Sequence, residues 1–76
     1  MKCIYQIKYE VRWASREPEH WEEQTARVLA GKDALEAVSR AKEAALKQRR
    51  LDDNGREEHC VDFRLREVAL IAEAEL

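Results

Sequence analysis

Every odd-numbered position from Cys3 to Trp13 carries an apolar or aromatic side chain: Cys3, Tyr5, Ile7, Tyr9, Val11 and Trp13. The even positions between them read Ile4, Gln6, Lys8, Glu10 and Arg12. Alternation of this kind marks a strand, because successive side chains of a strand point to opposite faces of its sheet. The pattern predicts strand one over about Lys2 to Trp13, with one apolar face and one wet, charged face. A sheet built on it is covered on one side only.

Ala14 to His20 reads as a loop, since Pro18 cannot donate to a ladder and holds Glu17 extended. Strand two is predicted from near Trp21 to near Ala30. One parity gives Gln24, Ala26, Val28 and Ala30; the other gives Trp21, Thr25 and Leu29. The even set is preferred as core-facing, because small residues there let a helix sit close. Gly31 ends the strand. Asp33 with Glu36 three residues later makes a capping box, so a helix should start at Ala34 and run to about Arg50. Ala34, Ala37, Val38, Ala41 and Ala45 form its apolar stripe. Lys47, Arg49 and Arg50 would complement the dipole at its last turn.

Asp52, Asp53, Asn54 and Gly55 form a turn. Strand three should begin near Glu58, with His59, Val61, Phe63 and Leu65 on one face. Beyond Glu67, Val68, Leu70 and Ala72 fit a strand whose parity a bulge has shifted. Leu65, Val68, Ile71 and Ala72 would fit a helix. The continued strand is preferred, because the run from Val61 begins as one. A right-handed crossover through the helix then places strand three beside strand one. The expected fold is one α+β domain over residues 1–76. It is a two-layer ββαβ unit whose three-stranded antiparallel sheet, in the order two, one, three, carries a single helix on one face.

The chain has 76 residues and 45% hydrophobic positions, many of them Ala, so its core is thin and its burial marginal. A second surface would add the missing burial, which favours self-association. Charged residues make up 39% with a net charge of −2, an interspersed balance unlike the basic footprint of a dedicated nucleic-acid binder. No apolar run approaches a membrane span. Met1 and Lys2 lead straight into an amphipathic strand rather than a signal sequence, so a cytoplasmic location is expected, and no membrane partner. The size suits an accessory or regulatory factor of a bacterium or phage. Cys3 and Cys60 are expected to be free thiols acting as small core residues.

The uncovered sheet face is the first candidate surface. It should carry Lys2, Gln6, Lys8, Glu10 and Arg12 from strand one, with Asp62, Arg64 and Arg66 from strand three. Lys8, Arg12, Arg64 and Arg66 are the nucleic-acid candidates, although sheet platforms for nucleic acid also offer stacking aromatics. The strand-one aromatics lie on the buried face. Cross-strand charge pairing is the competing reading. The long apolar edge of strand three is the second candidate, since such an edge is normally paired or covered. Val68, Leu70, Ile71 and Leu76 are its dimer candidates, and a homodimer is the expected partner state.

His20, His59 and Cys60 could converge at one sheet edge, but they lack zinc-motif spacing, and neighbours on a strand face opposite ways. Neither a metal nor a cofactor is expected. Thiol catalysis is disfavoured for the same reason, and the carboxylate pairs Glu22–Glu23, Asp52–Asp53 and Glu57–Glu58 lie in segments that read as exposed. The run from Ala30 to Leu46 resembles the strand-to-helix junction of HicB-type antitoxin domains, which also lay a helix on a small sheet. It spans under a quarter of the chain and lacks that family's Pro–Gly-rich turn before the helix. The chain thus reads as a small non-enzymatic interaction protein, with nucleic-acid association as the alternative.

Overall fold

A computed structural model of the protein describes residues 2–74. Five elements follow in order: β1 (Lys2–Trp13), β2 (Glu22–Ala30), α1 (Ala34–Leu46), β3 (Arg49–Leu51) and β4 (Glu57–Ala74). They form an α+β fold with an antiparallel sheet and one helix. The sheet has four strands in the order β2-β1-β4-β3, not the three expected from sequence. The added strand is β3, three residues that pair with Glu57–His59 of β4.

β1 is central, and its alternation is realised in full. Cys3, Tyr5, Ile7, Tyr9, Val11 and Trp13 are all buried. Across the β1–β2 ladder, Tyr5 faces Val28, Ile7 faces Ala26 and Cys3 faces Ala30. Directly paired residues share a face, so the even positions of β2 point to the core. Ala37, Ala41 and Ala45 bury the helix against this surface. Without side chains beyond Cβ at these contacts, the helix axis lies close to the sheet. Cys3 and Cys60 are free and buried among the core residues.

The helix start is fixed by several hydrogen bonds. Asp33 Oδ1 accepts from the Leu35 N–H at 2.9 Å. Glu36 does not close the expected capping box on Asp33; its Oε2 accepts from the Gly31 N–H at 3.1 Å. A Cβ at position 31 would sit 3.2 Å from that oxygen, so glycine lets the carboxylate approach. Tyr5 Oη donates to the Lys32 carbonyl at 2.9 Å, tying the connection to the sheet.

The helix ends at Leu46, four residues before the expected Arg50. Lys47 is its C-cap, so no basic side chain lies in the last turn. The chain leaves because tertiary bonds outbid helix propensity. The Gln48 carbonyl accepts from the Cys60 N–H at 3.1 Å, and Arg49 and Arg50 enter the ladder with β4. The β3–β4 turn is held by Asp52 Oδ1, which accepts from the N–H groups of Asn54 and Arg56, both at 2.9 Å. Gly55 adopts φ +76°, a left-handed value that suits glycine.

β4 continues as a strand to Ala74, the sequence reading preferred over a helix. Its parity is broken three times rather than once. The ladder with β1 skips Val61, Arg66 and Ile71, each an extra residue in β4. Cys60, Phe63, Leu65, Val68 and Leu70 pair with odd residues of β1 and so share the helix-covered face. Val61, expected on that face, is displaced by the first bulge. No helix among the described residues is long and apolar enough to cross a membrane.

Candidate functional site

The face of the sheet away from α1 carries the four nucleic-acid candidates, and each has a carboxylate beside it. Lys8 Nζ lies 3.5 Å from Glu67, and Arg12 Nη2 lies 3.8 Å from Asp62. Arg64 Nε donates to Glu10 Oε1 at 2.7 Å, and Arg66 Nη1 lies 3.6 Å from the same oxygen. The Arg64 hydrogen bond holds the Glu10 carboxyl below the usual carboxylate range. Arg64 also lies over the Trp21 ring, 4.3 Å from its centroid. Trp21 was assigned to neither role from sequence, and Glu67 was not placed on this face. The bulge at Arg66 puts both Arg66 and Glu67 there. The face is therefore close to balanced in charge rather than basic. A shallow concavity of about 450 Å³ opens on it, lined by Lys8, Glu23, Thr25, Arg66 and Glu67 among others.

A second cluster closes the far end of the helix-covered face, beyond the last turn of α1. Arg50 of β3 lies over the Trp13 ring at 4.0 Å. Its Nε donates to Glu58 Oε2 at 3.2 Å, and its Nη2 lies 3.0 Å from Glu22 Oε2. Ser15 Oγ donates to Glu58 Oε1 at 2.6 Å. Glu58 is only 4% exposed, which corrects its reading as a surface carboxylate. The Ser15 hydroxyl, then the Ser15 amide and Arg50, hold its carboxyl below the usual range against the cost of burial. Nearby, Gln24 and Gln48 exchange reciprocal amide bonds at 3.0 and 2.8 Å. The charged members point at one another, while the Trp13 Nε1–H is buried without a hydrogen-bond partner. The cluster bridges β2, β3, β4 and the β1–β2 loop, and its chemistry is structural cohesion.

His59 is exposed while its neighbour Cys60 is buried, as strand geometry requires. Burial pushes the Cys60 thiol up, toward the neutral and unreactive form. Its Sγ donates to the Asp62 carbonyl at 3.3 Å. Among the described residues, no group of His, Cys, Asp and Glu is placed to hold a metal ion.

The outer edge of β4 is the third surface. β3 pairs only with Glu57–His59, and the Cys60 N–H is taken by Gln48. From Val61 onward, no described strand lies on that side. The edge is lined by exposed apolar side chains: Leu65 at 44%, Leu70 at 53% and Ile71 at 43%. Of the sequence-predicted dimer residues, Leu70 and Ile71 are exposed on this strand, Val68 is half-buried against the core, and Leu76 lies outside the described residues. Leu65 belongs with them and was missed, because sequence parity placed it in the core.

No protein-family model, curated protein or solved structure matches this chain.

Proposed function

We propose that the protein is a small non-enzymatic interaction protein that works by self-association through the open edge of β4. The observation that carries this reading is the unpaired edge from Val61 onward, flanked by exposed Leu65, Leu70 and Ile71. Unpaired backbone N–H and C=O groups along a strand are a template for another strand, and apolar side chains beside them make pairing favourable. Native sheets blunt such edges with lysines, prolines, bulges or a covering element, and of these β4 carries only its bulges. This edge has neither Lys nor Pro over Val61–Ala74.

Light scattering coupled to size-exclusion chromatography tests the reading. A dimer that persists at high salt is expected. Leu65→Lys should shift it to monomer while costing the protomer no more than about 0.5 kcal/mol, since the residue is exposed there. A wild-type monomer, or a dimer indifferent to Leu65→Lys, would overturn the edge as the working surface.

The nucleic-acid reading is the weaker one, because Lys8, Arg12, Arg64 and Arg66 are already paired with carboxylates of the same face. Phosphate binding would have to break those pairs as well as release counterions. Fluorescence anisotropy with a labelled single strand at low salt should show no tight binding. Tight binding abolished by reversing the charge of Arg12 and Arg64 would restore that reading.

A further inference from the structure

We infer that the occupant of the β4 edge is the β4 edge of a second copy, paired antiparallel about a two-fold axis that passes between Arg66 and Glu67. This rests on the edge being the association surface and adds its partner and register.

The argument comes from which residues face the helix. Along β4 these are Phe63, Leu65, Val68 and Leu70, with a step of three between Leu65 and Val68 where the Arg66 bulge intervenes. The spacing reads the same in both directions from the midpoint between Arg66 and Glu67. The next steps of three, from Cys60 to Phe63 and from Leu70 to Glu73, lie at equal distances on either side. In an antiparallel pair, residues directly opposite share a face. With this centre, Leu65 of one copy meets Val68 of the other, and Phe63 meets Leu70. Each exposed leucine thus gains a partly buried apolar neighbour. On the other face Arg64 meets Ala69, and Arg66 meets Glu67.

The bulge is what makes the centre admissible. A two-fold perpendicular to the sheet keeps both helices on one side, so like faces must meet. In an unbroken strand, a centre between two consecutive residues would bring opposite faces together. Here Arg66 and Glu67 share a face: Arg66 lies by Glu10 and Glu67 by Lys8, both on the surface away from α1. The charges agree as well, since the symmetry sets Arg66 of each copy beside Glu67 of the other. The pairing runs from Val61 to Ala72 in each copy and stops where Cys60 is already bonded to Gln48, so Glu73 and Ala74 of each copy must turn aside from β3 of the other.

Charge exchange across the axis tests the register. Arg66→Glu alone sets two glutamates together at both symmetric positions, and Glu67→Arg alone sets two arginines together. Each variant should dissociate about tenfold more readily than wild type, from two pairs turned from attraction to repulsion. Mixing the two variants makes a heterodimer in which both pairs are again opposite in sign, and its affinity should return to near the wild-type value. Sedimentation equilibrium reads all four samples. A wild-type dimer with unweakened single variants, or with no recovery on mixing, overturns this register and leaves self-association standing. A wild-type monomer overturns both.

Discussion

Ile7→Ala is expected to lower stability by about 3 kcal/mol, enough to drop the melting temperature by roughly 10–20 °C in a domain of this size. Ile7 and Val11 are the largest side chains with essentially no exposure. Ile7 sits mid-strand on β1 between Ala26 of β2 and Val68 of β4. Around it the core is thin: Ala30, Ala37, Ala41 and Ala45 are fully buried but supply only methyl groups. Deleting large buried groups costs most where neighbours cannot move into the space. The helix has no room to settle, because its alanines already bring it onto the sheet. Neighbouring methyls cannot reach across. Ile7→Val should cost about 1 kcal/mol by the same reasoning. Leu35→Ala, at a position 72% exposed, should stay within about 0.5 kcal/mol. Urea titrations followed by circular dichroism rank the three. An Ile7→Ala protein as stable as Leu35→Ala would mean that β1 is not the centre of the core.

That centre was legible in the sequence because β1 buries one face along its whole length. A strand with that environment must alternate, and nothing local competes with the pattern. β2 was legible in position but weak in pattern, since its core-facing residues are small and Leu29 remains exposed on the other side. The helix start was legible from Asp33 and Gly31, which act through short-range bonds. Its end was not. Lys47, Gln48, Arg49 and Arg50 are all good helix formers. What stops the helix is a set of partners distant in sequence: Cys60 for the Gln48 carbonyl, and Glu58 and Glu22 for Arg50. A three-residue strand held by such contacts leaves no periodic trace.

β4 failed differently. Each bulge adds one residue and turns all later side chains to the other face. With bulges at Val61, Arg66 and Ile71, no parity survives longer than a few residues. Val61, Phe63 and Leu65 look like one face, yet Val61 is off it and Cys60 takes its place. The basic residues of the uncovered face were readable as a list. Their neutralisation was not, because it depends on which carboxylate the register sets opposite each cation. Arg64 on Glu10 and Arg12 on Asp62 follow directly from the β1–β4 ladder. Leu65 keeps the face its parity gave it but is exposed there at the open edge, which parity alone does not reveal, and the bulges hid the mirrored spacing of the strand.

Arg50→Met is expected to cost about 2 kcal/mol at neutral pH. Removing one partner of a buried ion pair commonly costs about 3–5 kcal/mol, and Arg50 earns less because a third of its side chain meets solvent. Three consequences add up. Glu58, nearly fully buried, keeps only Ser15 as a side-chain partner. Glu22 loses the cation 3.0 Å away. The Trp13 face loses its guanidinium, although the methionine stem still covers part of the ring. The pH dependence separates the ionic contribution from the packing one. The folded-state carboxyl of Glu58 titrates below its unfolded value. Its contribution is therefore complete above the ordinary glutamate range near pH 4.3 and disappears as pH falls through the lower folded value. Once protonated, Glu58 no longer needs the cation. The stability gap between wild type and Arg50→Met should thus be widest at neutral pH and narrow below about pH 4. Ser15→Ala removes the largest cause of the lowered carboxyl and should flatten the acid limb of the stability curve, with Arg50 still in place. Thermal melts across pH 3–7 on the three proteins decide the matter. A gap that stays constant with pH would assign Arg50 a packing role over Trp13 alone, with Glu58 neutral in the folded protein.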